Sequence, residues 1–95
     1  MTHFKWLVAK TSREDAEEYA QRVQDREGWD YCEVQECLGT VEEVYQRLLK
    51  EGPEGQLARL LKAEGISVDG KLEWLRALIE KGKGGYRVYV IDCHM

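Results

Sequence analysis

Histidine, cysteine and proline are scarce in this sequence, which has two, three and one of them among its 95 residues. Both histidines, His3 and His94, lie close to a chain end, so no internal imidazole is available to activate a serine or cysteine nucleophile. The cysteines follow no known metal-ligand or redox spacing, and their odd number does not predict a disulfide scaffold. We therefore expect no enzyme, no bound metal and free thiols, with Cys32 and Cys37 as a buried and a half-buried thiol.

Long apolar runs and phosphate-binding loops are also absent from the sequence. No stretch approaches the roughly 18 apolar residues of a membrane-spanning helix, and the first residues lack the features of a signal peptide. Gly82, Gly84 and Gly85 precede a predicted strand, whereas a nucleotide-binding loop follows a strand and opens a helix. These absences, together with the unpaired cysteine count, predict a cytoplasmic protein with no cofactor and no membrane contact.

Negative charge, in contrast, is abundant and unevenly distributed. Residues 14–43 contain eleven of the eighteen acidic side chains and only two basic ones, Arg22 and Arg26, which gives a formal charge of −9. Because the whole chain carries −4, the remaining residues carry +5. Such an asymmetry creates a one-sided electrostatic field, which decides which partners a surface attracts or repels. The charge pattern is the main functional signal in the sequence.

Hydrophobic periodicity predicts a single α+β domain that spans residues 1–95. Alternating or two-sided apolar patterns indicate strands at residues 4–10, 31–37 and 86–91. Helical patterns bounded by capping residues and glycines indicate four helices, at residues 12–28, 40–52, 56–64 and, capped by Ser67 or Asp69, up to residue 81. The predicted order is β-α-β-α-α-α-β, with the helices mainly on one face of a small sheet of about three strands.

The two terminal strands are apolar on both sides, which is typical of strands inside a covered sheet. We expect them to pair with each other, or with one common neighbour, near the middle of the fold. Residues 31–37 have one polar face and are predicted to form an edge strand. A partly uncovered sheet face would be a candidate for homodimer formation, and its candidate residues are Phe4, Trp6, Tyr86 and Val88.

Aromatic residues inside the acidic segment favour a protein interface over a merely solvated surface. Trp29 and Tyr31 lie in its middle, and these residue types supply much of the binding energy at interfaces. A role for Trp29 in the core or in a turn is the main competing interpretation. The predicted partner-binding residues are Glu14, Glu18, Asp25, Trp29, Asp30, Tyr31 and Glu33.

Two alternative functions remain open. Residues 56–81 resemble a helix-turn-helix, the motif of many transcription regulators, which implies that the second helix presents side chains to DNA. The matching positions include Asp69 and Glu73, whose negative charge opposes a phosphate backbone. His3, Cys93 and His94 could instead converge as a small metal or enzyme site if the terminal strands run antiparallel.

The favoured hypothesis is a small acidic, non-enzymatic protein-binding module that acts on a basic protein and makes no direct contact with nucleic acid. In length, acidity and lack of catalytic groupings, the chain is similar to the small inhibitors that bacteriophages make against host defence and nucleic-acid machinery, including anti-CRISPR proteins. The similarity covers size and charge, without a shared motif. It implies a nucleic-acid-binding protein as the partner.

Overall fold

A computed structural model describes residues 2–95 as one three-stranded sheet and four helices. The strands are β1 (His3–Lys10), β2 (Tyr31–Thr40) and β3 (Arg87–His94). The helices are α1 (Arg13–Glu27), α2 (Val41–Glu51), α3 (Gln56–Ala63) and α4 (Lys71–Glu80). The α+β class and the element order are those predicted from the sequence. Within these residues, no helix has the length and apolar character needed to cross a membrane.

The C-terminal strand β3 lies in the middle of the sheet, antiparallel to both neighbours in the order β1-β3-β2. Residues 88–93 are all buried, because this strand has a neighbour on each side and helices cover both of its faces. The predicted pairing of the chain ends is confirmed, since His3 lies opposite His94 and Lys10 lies opposite Arg87. β1 is nevertheless an edge strand, as β2 is. Its two-sided apolar character comes from helices above and below it and not from a second neighbouring strand.

Helices cover both faces of the sheet. α2, α3 and α4 pack on the face that carries Val88 and Val90, here called the three-helix face. α1 packs on the opposite face, here called the α1 face, which carries Tyr89 and Ile91. This helix lies close to the sheet because its buried side chains are small, namely Ala16, Ala20 and Val23. Three of the four helices share one face, as predicted, but neither face is bare.

The sequence predicts capping residues for α2 and α4. The structure confirms those of α2 and contradicts those of α4. Thr40 and Glu43 form the predicted capping box at the start of α2, each side chain accepting the other residue's backbone N–H. At α4, the predicted caps Ser67 and Asp69 are wrong. Gly70, with a positive φ of 77°, precedes the helix and no side chain caps it. The Ser67 hydroxyl accepts the backbone N–H of Asp69 within the preceding turn instead.

The residues proposed for a homodimer face are divided between the two layers. Val88 is fully buried under the three helices, so it is wrong as a dimer residue, whereas Tyr86 packs against the same core and is half-buried. Phe4 and Trp6 lie on the α1 face. α1 covers that face only in part and leaves Phe4 57% exposed. An accessible apolar surface therefore remains around Phe4.

A disulfide joins Cys32 to Cys93 between β2 and β3. The expectation of free thiols is therefore wrong for these two residues. They lie directly opposite each other in the strand register, 61 positions apart in sequence, and the spacing of cysteines along a chain does not reveal such a pairing. Cys37 remains free, and it is exposed rather than half-buried.

Candidate functional site

The acidic segment, residues 14–43, begins on α1, crosses the sheet as β2 and ends at the start of α2, and at the β2 edge Tyr31 and Glu33 line one groove with Glu17 of α1. Glu14, Glu18 and Asp25 are exposed on the side of α1 opposite its buried stripe. Tyr31 and Glu33 alternate with the β2 residues that pack under α1, so they lie on the three-helix face. The structure thus places the predicted partner-binding residues on two sides of the molecule.

Trp29 and Asp30 lie in the turn between α1 and β2. Trp29 is half-buried and packs against the core under α1, so part of the competing core interpretation holds. Its ring also stacks on Phe4, with 6.4 Å between the ring centroids and 16° between the planes. Asp30 is exposed beside it. Trp29 therefore contacts both the core under α1 and the exposed ring of Phe4.

Aromatic side chains form a row along β1 on the α1 face, here called the aromatic surface: Phe4, Trp6, Tyr19 and Trp29. The Phe4 and Trp6 ring centroids are 5.3 Å apart. The Trp6 indole N–H donates to the Tyr19 hydroxyl at 3.1 Å, which satisfies both polar groups and holds both rings in place. The row presents a rigid apolar area to solvent.

One carboxylate lies in the groove beside the aromatic surface, and the Lys10 ammonium lies 4.5 Å from the Tyr19 ring centroid. Glu27 lines the same shallow groove as Phe4 and Trp29, and no Lys or Arg is among the described residues that line it. Arg26 pairs with Glu27 at 3.2 Å, but both side chains are largely exposed, and such pairs contribute little. The Glu27 carboxylate is thus accessible to a cation from another molecule.

A second group of side chains, here called the histidine row, crosses the three-helix face at the end of the sheet: Tyr31, His94 and His3. The His94 ring centroid lies 5.4 Å from that of Tyr31 and 5.1 Å from that of His3. Asp92, only 7% exposed, places Oδ1 3.1 Å from Nδ1 of His3. Of the three residues whose convergence the sequence left open, the two histidines meet, whereas Cys93 lies on the α1 face in the disulfide.

Lys5 forms an ion pair with Glu64 next to the histidine row. The amide of Gln35 donates to the same carboxylate at 3.1 Å. The hydrogen bond from Lys5, followed by that from Gln35, lowers the pKa of Glu64, and Glu64 in turn raises the pKa of Lys5. The group ties β1 and β2 to the end of α3. Because its charges are matched internally, we assign it a structural role.

The segment that resembles a helix-turn-helix is arranged differently from that motif. α3 and α4 both pack mainly on α2, whereas the motif requires its two helices to pack on each other. Asp69 and Glu73 are exposed at the start of α4, where a recognition helix would approach phosphate. Arg59 and Lys62 are exposed on α3. The packing favours a role of these helices in the core.

The geometry thus offers two candidate sites, the aromatic surface beside α1 and the histidine row at the end of the sheet. No known protein family, curated protein or solved structure matches this chain. The function is therefore argued from the side chains of these two sites.

Proposed function

We propose that the chain is a non-enzymatic protein-binding module that uses the aromatic surface and the acidic side of α1 to bind a basic protein. The observation that carries this proposal is the Phe4 ring, 57% exposed yet held in place by stacking on Trp29. Rigid exposed aromatics supply contact area at little entropic cost, and they are enriched among the residues that dominate binding energy. The exposed carboxylates of Glu14, Glu18 and Asp25 would steer a positively charged partner toward α1.

The chemistry of the surface favours a partner that presents Lys or Arg side chains. Aromatic faces attract cations, and Lys10 already lies 4.5 Å from the centroid of the Tyr19 ring within this chain. Glu27 supplies a carboxylate in the groove of Phe4 and Trp29. A second copy of the chain is a poorer partner, because two acidic helices would then approach each other. A nucleic-acid-binding protein of a host, as in inhibition by a phage-type protein, has the required basic surface.

Reversing three charges on α1 should weaken binding by at least about tenfold at low salt, because like charges then oppose the partner. The variant is Glu14→Lys, Glu18→Lys and Asp25→Lys, all exposed and away from the buried stripe. Affinity for basic proteins captured with the wild-type chain is measured by surface plasmon resonance at several salt concentrations. Circular dichroism checks that the fold is kept.

The matched control changes the net charge equally on the other side of the sheet. This control variant changes three exposed acidic residues on or near the three-helix layer to Lys: Glu54, Asp69 and Glu73.

A second pair of variants tests the aromatic surface. Phe4→Ala and Leu49→Ala remove side chains of similar exposure, 57% and 54%. Only Phe4→Ala should weaken binding. Equal effects of both charge variants, or of both alanine variants, would refute the proposed surface.

We expect no binding to duplex DNA, although α3 and α4 carry exposed basic side chains. A net charge of −4 repels phosphate, and non-specific binding depends on several Lys or Arg contacts that release counterions. Asp69 and Glu73 lie where such contacts would be made. A mobility-shift assay at low salt tests this. A salt-sensitive complex at micromolar protein would instead support the helix-turn-helix regulator.

A cytoplasmic location is part of this proposal, and the disulfide between Cys32 and Cys93 is the observation against it. In a reducing compartment these two residues would be thiols. Counting reactive thiols in protein taken directly from its native compartment decides the question. Thiols at Cys32 and Cys93 in addition to Cys37 support the cytoplasm.

A further inference from the structure

We propose that His3 and His94 bind one divalent transition-metal ion, such as Zn²⁺ or Ni²⁺, with Asp92 as the residue that orients His3. The two residues are the only histidines of the chain, and the strand register places them directly opposite each other on β1 and β3. Imidazole nitrogen is a preferred ligand of these ions. The inference is independent of the protein-binding proposal, and it departs from the expectation of no metal drawn from the sequence.

The separation of the two rings suits a shared ion. Their centroids lie 5.1 Å apart. Two imidazoles bound to one ion through nitrogens at about 2.1 Å, at a near-tetrahedral angle, have ring centres about 5 Å apart. The separation of the rings across the paired strands is therefore in the range that one shared ion requires.

Asp92 supports this arrangement through its contact with the His3 ring. A buried carboxylate is costly unless it accepts hydrogen bonds, and Oδ1 of Asp92 lies 3.1 Å from Nδ1 of His3. Histidines that bind metals usually donate the other ring N–H to a carboxylate, which fixes the ring and makes the ligating nitrogen more basic. With Nδ1 of His3 facing Asp92, Nε2 is left for the ion.

The site has two protein ligands, and water completes the coordination. Cys93 lies on the opposite sheet face, and no group of three His, Cys, Asp or Glu side chains among residues 2–95 is arranged to hold an ion. His3 is partly exposed, so water and metal have access. Such a site binds more weakly than a structural zinc site with four protein ligands.

The test is titration of untagged protein with Zn²⁺ and with Ni²⁺, each alone, by isothermal calorimetry and by NMR of the histidine side chains. We expect one ion per chain and shifts of both imidazoles. His3→Gln and His94→Gln should each lower the affinity at least about tenfold, and Asp92→Asn about tenfold. Mg²⁺ should cause no shift, because it prefers oxygen ligands.

The matched control is Cys37→Ser, which removes the free, exposed thiol and should leave the affinity unchanged. Thermal melts of each variant without metal establish that it is folded, and the two histidine variants decide the outcome if Asp92→Asn is not. Three results would overturn the proposal: no binding by the wild-type chain up to about millimolar metal, equal affinity in the histidine variants, or loss of binding in Cys37→Ser.

Discussion

Deletion of residues 86–95 is expected to leave a chain that does not fold. β3 is the neighbour of both β1 and β2, so its loss removes every strand pairing of the sheet. It also removes buried side chains from both cores, including Val88, Tyr89, Val90 and Ile91. Burial of each contributes about 1.5–3 kcal/mol, whereas the net stability of a domain is only about 5–15 kcal/mol.

Circular dichroism during heating measures the result, and the truncated chain should show no cooperative transition. The control deletes only Met95, which is 54% exposed, and this variant should melt much as the intact chain does. A soluble truncated protein with a cooperative melt would show that β3 is not essential to the sheet.

Reduction of the disulfide between Cys32 and Cys93 is expected to lower the free energy of unfolding by up to about 4 kcal/mol. The bond connects positions 61 apart, and in the chain-entropy model a loop of that length gives a stabilisation of this size. Urea denaturation with and without a reducing agent measures the difference. The midpoint should shift to lower urea in the reduced protein.

Cys37→Ser is the control, because this cysteine is free and its loss should not change the effect of the reducing agent. Identical midpoints in the oxidised and reduced wild-type protein would show that the bond does not form or does not stabilise the fold. A reduced protein that still unfolds cooperatively would remain compatible with a cytoplasmic location.

Local patterns predicted the helices and strands well because their causes are local. The start of α2 depends on Thr40 and Glu43, three positions apart, and both partners are visible in the sequence. The end of α3 depends on Gly65, with a positive φ of 77°, and on Ile66, whose N–H donates to the Leu61 carbonyl at 2.8 Å. Residues that are close together in sequence therefore determine where these helices begin and end.

Features that depend on tertiary contacts were predicted less well. The two-sided apolar pattern of β1 indicated a central strand, but the same pattern arises at an edge that helices cover on both faces. The charge pattern of residues 14–43 predicts one acidic surface, but alternation along β2 places Glu33 on the sheet face opposite α1. The number of charges along a segment does not show on which face of the sheet each charged side chain lies.

Both candidate sites also combine residues that are distant in sequence. The acidic context of Trp29 predicts an interface role, but its contact with Phe4 arises only because α1 packs across the sheet and brings these two residues, distant in sequence, together. Asp92 is not predicted as a site residue, because a single acidic residue in an apolar strand forms no recognisable sequence pattern. Its role depends on His3, which the β1–β3 register places beside it.

The central position of the last strand has a consequence for synthesis on the ribosome. α1 and α2 can form while the chain is still growing, but β1 and β2 have no strand to pair with until Arg87–His94 has been made. Contacts between positions as distant as 10 and 87 also form slowly and leave apolar segments open to aggregation in the meantime. Phe4 and Trp6 are held in place on β1 only once β3 has joined it. A nascent or prematurely terminated chain that lacks β3 therefore cannot hold Phe4 and Trp6 in the arrangement that forms the aromatic surface.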